Sequence, residues 1–262
     1  LGPELAAARA GTRLYEPEEL AALVADLPAL AGPPPAVTVT AETTSAAARR
    51  LAATGPVAAL NFASAKNPGG GFLGGAKAQE EDLARGSALY DCQLTARGYY
   101  DANRACASML YTDHLIWSPA VPCFRDGQLA LLEDPYRCGF ITAPAPNAGE
   151  ALRRDPRARR AITATLVRRA AMVLAVAVAE GARRLVLGAW GCGVFRNQPA
   201  EVADVFGAAL AAPPFAGAFD EVCFAIYDRS PDRATLRAFQ ARLVPGGASL
   251  PSVLDRDLPR QR

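Results

Sequence analysis

From Val37 onward, apolar runs of strand length alternate with stretches of helical periodicity, the pattern of an α/β layered domain. Val37 to Ala41 reads as a strand, and Ser45 caps a short helix that ends at Gly55. Val57 to Ala63 is apolar throughout except for Asn61, as in a strand covered on both faces. A glycine-rich loop follows, then a helix from Gln79 to Leu94. Leu115 to Ala120 and Gly139 to Thr142 are further strands, and Pro144 and Pro146 stop the second. Asp155 before Pro156 is an N-cap with proline at the first helical position. Ile162, Leu166, Ala170, Val173, Leu174 and Ala177 then keep one apolar face until Gly181. Leu185 to Trp190 is a buried strand that delivers a second glycine turn. A helix from Pro199 to Leu210 stops before Pro213-Pro214, Val222 to Tyr227 is the last strand, and Ser230-Pro231 starts the last helix.

No repeat and no long polar linker divides the chain, so its 262 residues read as one domain. Residues 1–35 are expected to form a helical extension of a core spanning 36–243. The tail, 244–262, has few packing residues and is expected to be loosely held.

Composition narrows the function. Hydrophobic residues make up 51% and charged residues 21%, enough core and too little charge for a disordered chain. The net charge of +2 advertises no broad polyanion-binding face, so direct nucleic-acid binding is not expected. The 6 cysteines form no C-x-x-C pair, which fits reduced thiols in a cytoplasmic protein better than zinc or a disulfide framework. His114 is the single histidine; before Leu115-Ile116-Trp117 it reads as structural or surface-lying, with a lone catalytic base as the alternative. The apolar helix around Ala170 to Ala179 is expected to be too short and too close to arginines to span a membrane. No signal peptide is visible, and a start at Leu1 without methionine leaves a trimmed leader as an alternative.

The chemistry gathers between Asn67 and Glu81. Gly69, Gly70, Gly71, Gly74 and Gly75 leave backbone that can take positive φ and admit a ligand close to its amides. Glycine turns between strand and helix also serve plain packing, and this one is neither G-x-G-x-x-G nor a P-loop. The second turn, Gly191-Cys192-Gly193, lies at another strand end, so two loops at one sheet edge can hold the two phosphates of a diphosphate. Glu80 and Glu81 follow the first loop at a helix start, where acidic residues are also common for electrostatic reasons alone. Successive helical residues point about 100° apart, so two separate roles suit the pair better than one shared proton.

The run Asn67-Pro68-Gly69-Gly70-Gly71, the seven residues after it and Gln79-Glu80-Glu81 resemble the signature of poly(ADP-ribose) glycohydrolases. Asn61 to Pro68 and Gly188 to Phe195 are similar to the smaller bacterial branch of that family. The resemblance implies a macrodomain-like three-layer sandwich, a mixed sheet flanked by helices. It implies exo-type release of ADP-ribose from the polymer by metal-independent acid/base catalysis, without a cofactor, in a monomer that serves the DNA damage response. It puts catalysis on Glu81 and ribose positioning on Glu80. Diphosphate contacts fall to Gly69, Gly70 and Gly71 and to Gly191, Cys192, Gly193, Val194 and Phe195, with Phe195 against the terminal ribose or, as the plainer alternative, in the core. Gln79 belongs to the same signature. Asn67 is a candidate partner for a ribose hydroxyl or simply the start of the turn. Tyr227 is a candidate to stack on adenine or a strand-end surface residue. Arg196 adds a cation near the presumed ribose site. The alternatives are a non-catalytic ADP-ribose-binding macrodomain and a hydrolase of mono-ADP-ribosyl groups.

Overall fold

The computed structural model describes residues 2–30 and 32–244. The N-terminal segment forms α1 (Gly2–Gly11), β1 (Arg13–Tyr15) and α2 (Pro17–Asp26). Then come β2 (Ala36–Thr40), α3 (Thr44–Ala52), β3 (Val57–Phe62), α4 (Gln79–Gly86), α5 (Leu89–Gln93) and α6 (Arg97–Ala105). The second half holds β4 (Leu115–Arg125), β5 (Leu131–Ala143), α7 (Ala148–Arg154), α8 (Arg159–Ala179) and β6 (Arg184–Gly188). It closes with α9 (Pro199–Ala211), β7 (Glu221–Ala225) and α10 (Ala234–Leu243).

Seven strands form one mixed sheet in the order β1-β4-β5-β3-β6-β7-β2. Only β4 runs against its neighbours; β5, β3, β6, β7 and β2 are parallel. Side chains alternate between two cores, as a two-residue period requires. Ala58, Leu60, Leu185, Leu187, Val222 and Phe224 enter the core that carries α8. Val57, Ala59, Val186, Cys223 and Ala225 enter the other, which carries α3. On the first face α8 packs against α2 and α9, and α10 against α9; on the second α3 crosses β3, β5, β6 and β7. The result is a three-layer α/β sandwich, layered as the apolar pattern predicts and with the three layers that the resemblance implies.

The differences from that pattern have local causes. Thr43, not Ser45, caps α3, its hydroxyl accepting from Ala46 N at 3.2 Å. The expected helix over 79–94 is broken at Ser87, which bridges to Cys123 and splits it into α4 and α5. β5 starts at Leu131, hidden in the sequence by Glu133, Asp134 and Pro135. Asp155 caps a short 3-10 turn over Pro156–Ala158 that leads into α8. Segment 2–30 is not helical only, since β1 joins the sheet edge along β4. Helix α8 with its lead-in turn, Pro156–Ala179, is long and apolar enough by length and composition to cross a membrane, contrary to the length argument. Here it is a core helix, with Ile162, Leu166, Ala170, Val173 and Leu174 fully buried. The tail beyond Val244 lies outside the described residues.

Candidate active site

Strands β3 and β6 are parallel neighbours, so their following loops, 63–78 and 189–198, rise at the same edge of the sheet. Such an edge, where chains diverge to opposite sides, is where open α/β sheets leave a crevice. Glu80 and Glu81 open α4 above it and are both buried.

Glu80 is locked by three donors. Its Oε1 accepts from Asn61 Nδ2 at 3.2 Å and Gln93 Nε2 at 2.9 Å, and its Oε2 from Ser64 N at 2.6 Å. Burial raises its carboxyl to about 7, against the opposing pull of those hydrogen bonds, and the charge of Glu81 adds to the rise. Glu81 instead takes one backbone N–H on each oxygen: Gly71 N at 2.8 Å and Ala78 N at 3.0 Å. A carboxylate has about four acceptor sites, so Glu81 keeps two open and Glu80 one.

The two carboxylates diverge along the helix yet converge on one point of the glycine loop. A Cβ on Gly70 would overlap Glu81 Oε1 and lie 3.1 Å from Glu80 Oε2. Gly70 also has φ 61°, where a side chain is strained. Its bareness therefore makes room for both acids. The amides of this loop are occupied: Gly69 N donates to Gln93 Oε1, Gly70 N to Asn67 O and Gly71 N to Glu81. The sequence reading offered these N–H groups to a diphosphate. Internal acceptors already hold them, so what the loop can offer a ligand is close approach to bare backbone.

The second loop is the opposite case. Gly191, Gly193, Val194 and Phe195 have no acceptor for their amides among the described residues. Gly191 has φ 69° and no room for a Cβ between Ala145 and Asn197. Asn197, buried, ties the loop with Nδ2 to Pro146 O at 2.9 Å and Gly191 O at 3.1 Å. Phe195 is half-buried, its ring 5.8 Å from that of Tyr111. Leu73 on the first loop and Val194 on the second are exposed apolar tips. Burial pushes the Cys192 thiol to about 12, which leaves it protonated and unsuited to nucleophilic work.

Gln79 takes a structural role, while Asn67 and Tyr227 take the plainer of the two roles the sequence offered for each. Gln79 latches α4 to β3, with Nε2 donating to Leu60 O and Thr44 Oγ1 while Oε1 accepts from Phe62 N. Asn67 is exposed and its carbonyl closes the turn onto Gly70. Tyr227 lies past β7, 61% exposed, lining an open hollow with Ala41, Asp228 and Arg229. Arg196 packs over Gly149, away from any acidic partner among the described residues. His114 bonds Thr112 Oγ1 and lies 2.6 Å from Glu16, fastening the N-terminal segment.

Sequence reasoning missed Asn61, Ser64 and Gln93 as partners of Glu80. Asn61 had a signal, the lone polar residue in an apolar strand; Gln93 had none, because the break at Ser87 is what returns it to Glu80.

The comparisons identify the fold. The family model for the microbial-type PARG catalytic domain matches residues 1–126. The poly(ADP-ribose) glycohydrolase of Thermomonospora curvata is 51% identical, with a TM-score of 0.89 over 93% of this chain and 89% of that one. The chain belongs to the poly(ADP-ribose) glycohydrolase family. The Deinococcus radiodurans glycohydrolase, solved with ADP-ribose, is 52% identical with a TM-score of 0.87, over 92% of this chain and 97% of that one. The Thermomonospora curvata glycohydrolase bound to the inhibitor ADP-HPD is 49% identical with a TM-score of 0.86, over 93% and 89%. No curated protein matches the chain. Both glycine loops of this glycohydrolase fold stand on neighbouring parallel strands, so the loop that leads to Glu80 and Glu81 and the second loop share one crevice.

Proposed function

We propose that this chain hydrolyses poly(ADP-ribose) at the ribose–ribose bond, mainly from the chain end, by acid/base catalysis without a metal. The observation that carries this reading is the convergence of Glu80 and Glu81 on Gly70, beside a loop with four unengaged amides. Those amides suit the diphosphate of ADP-ribose. Phe195 backs the terminal ribose, and Glu80, fixed by three donors, offers its one open acceptor site to a ribose hydroxyl.

Glu81 protonates the leaving ribose oxygen as the anomeric C–O bond breaks. The ring oxygen stabilises the cation that forms, and the Glu81 carboxylate then takes a proton from the attacking water. The products are ADP-ribose and a polymer one unit shorter. Positioned proton transfer of this kind is worth roughly 10²–10⁴-fold.

One observation favours a second reading with the roles exchanged. Glu80, with its carboxyl raised to about 7, carries a proton near neutral pH and is suited to give it. The test is binding and single-turnover cleavage of polymer by Glu81→Gln and Glu80→Gln, with EDTA present in one arm. Glu81→Gln is expected to bind ADP-ribose within a few-fold of the parent and to lose cleavage, and EDTA to change nothing. A variant Glu80→Gln that binds normally and is dead would exchange the roles. Normal cleavage in both would leave an ADP-ribose-binding module, and cleavage of mono-modified protein alone would point to the mono-ADP-ribosyl hydrolase.

A further inference from the structure

Beside α4 lies a second cavity, of about 350 Å³, that the chemistry above does not use. Helix α3 lines it with Ser45, Arg49 and Arg50, and the β4–β5 hairpin with Arg125, Asp126 and Tyr136. Arg50 is neutralised by Glu42 at 2.6 Å. Arg49 and Arg125 have no carboxylate partner among the described residues; Arg125 donates instead to the neutral Arg85 O at 2.9 Å. Asp126 spends its Oδ1 on Gln128 N and Ala130 N of its own turn. In a chain of net charge +2, this places two guanidiniums outside any ion pair on one hollow, against a single lining carboxylate, Asp126.

The hollow is joined to the catalytic helix at three points. Ser45 Oγ donates to Asp82 at 2.9 Å, and Thr44 Oγ1 accepts from Gln79 at 3.1 Å. Arg125 holds the last turn of α4, and the Arg85 guanidinium on that turn reaches back to Phe72 O and Ala76 O of the glycine loop. Arg125 and Arg85 thus link the cavity to the glycine loop through the last turn of α4.

Cutting a polymer at its last ribose–ribose bond leaves the departing oxygen on the next ADP-ribose unit, which carries a diphosphate of its own. We propose that the Arg49–Arg125 cavity is the subsite for that second diphosphate. The proposal rests on the polymer-cleaving reading above. A cavity of this volume falls in the range of small-ligand pockets, and two guanidiniums outside any ion pair, facing the single lining carboxylate Asp126, leave a net positive site of the kind that recognises phosphate. Tyr136, its hydroxyl bonded to Ser45 O at 2.9 Å, gives the cavity a fixed wall.

The test is Arg49→Glu beside Arg183→Glu, an equal charge change at the opposite edge of the sheet. Polymer binding is titrated for each in the Glu81→Gln background across a salt series, with ADP-ribose and inorganic pyrophosphate as separate ligands. ADP-ribose release by the two single variants and the parent is measured in parallel. Arg49→Glu is expected to weaken polymer binding roughly fivefold or more and to flatten the salt slope by about 0.7–1. Its ADP-ribose affinity should stay within twofold, and pyrophosphate should compete with polymer in the parent background. An effect no larger than that of Arg183→Glu overturns the subsite, and so does an equal loss of ADP-ribose affinity. Pyrophosphate that binds through Arg49 without displacing polymer would make this a site for free phosphate instead. Absence of ADP-ribose release by the parent would overturn the hydrolase reading, whatever the binding series gives.

Discussion

Glu80 is the residue whose environment has a measurable cost. Its carboxyl sits at about 7 in the folded chain against an ordinary 4.5, because burial outweighs its three donors. The folded state therefore keeps a proton that the unfolded chain gives up between these values. Stability from this group is fully present below about pH 4.5 and is lost as pH rises through 7, on the order of 3 kcal/mol in total. Glu80→Gln removes the titration, while its amide NH2 must face at least one of the donors, so it starts less stable. The variant's melting temperature is expected to fall less between pH 5 and pH 8 than the parent's, by roughly 5 °C or more. Parallel melting curves across that range would refute the buried-acid account. The same environment explains what the sequence could not convey. Two adjacent glutamates were legible, but the partners that set Glu80 apart, Asn61, Ser64 and Gln93, come from β3, the loop after it and α5.

At the scale of elements, the break between α4 and α5 is what builds the site. In one straight helix Glu80 and Gln93 would lie about 20 Å apart along the axis. Ser87 ends α4, bonds its own Leu83 O at 2.7 Å and pairs with β4, so α5 turns back and brings Gln93 beneath Glu80. The Gln93 amide then bridges Gly69 N and Glu80 Oε1, which ties the glycine loop to the carboxylate. Apolar periodicity showed a continuous helix there because the turn at Ser87 leaves Leu83 and Leu89 buried on either side of it. Gln93 is a positioning residue, and its loss should fall on kcat more than on KM. Gln93→Leu is expected to lower kcat roughly tenfold or more. Gln93→Glu is the sharper variant. Its carboxyl can serve Glu80 only while one of the two carries a proton, so its activity should drop away as pH rises when compared with the parent. A flat ratio of variant to parent across pH 5.5 to 8.5 would reduce Gln93 to packing.

On the scale of the whole molecule, the layered sheet and its two glycine loops were legible from strand-length apolar runs and from glycine placed at their ends. The N-terminal segment was not, because Arg13-Leu14-Tyr15 is too short to show a period. In the structure it closes the sheet: β1 covers β4, Tyr15 OH donates to Glu180 at 2.6 Å, and Leu20 is fully buried where α2 meets α8. This edge matters to the site because β4 begins just after the 110–114 stretch, whose carbonyls at Leu110 and Tyr111 are held by buried Arg169. Tyr111 in turn stands against Phe195. Deleting residues 1–28 would uncover the edge of β4, leave the His114 contact to Glu16 unmade and expose the apolar surface under Leu20. At roughly 2 kcal/mol for each large side chain unburied, the loss should exceed about 5 kcal/mol. That corresponds to a fall in melting temperature of roughly 10 °C or more for a chain of this size. The open edge should also drive association, since an uncapped strand offers its backbone to another chain. Thermal unfolding and size-exclusion chromatography of the shortened chain test both effects. A monomer that melts within about 2 °C of the parent and releases ADP-ribose at the parent rate would show that the segment is an appendage.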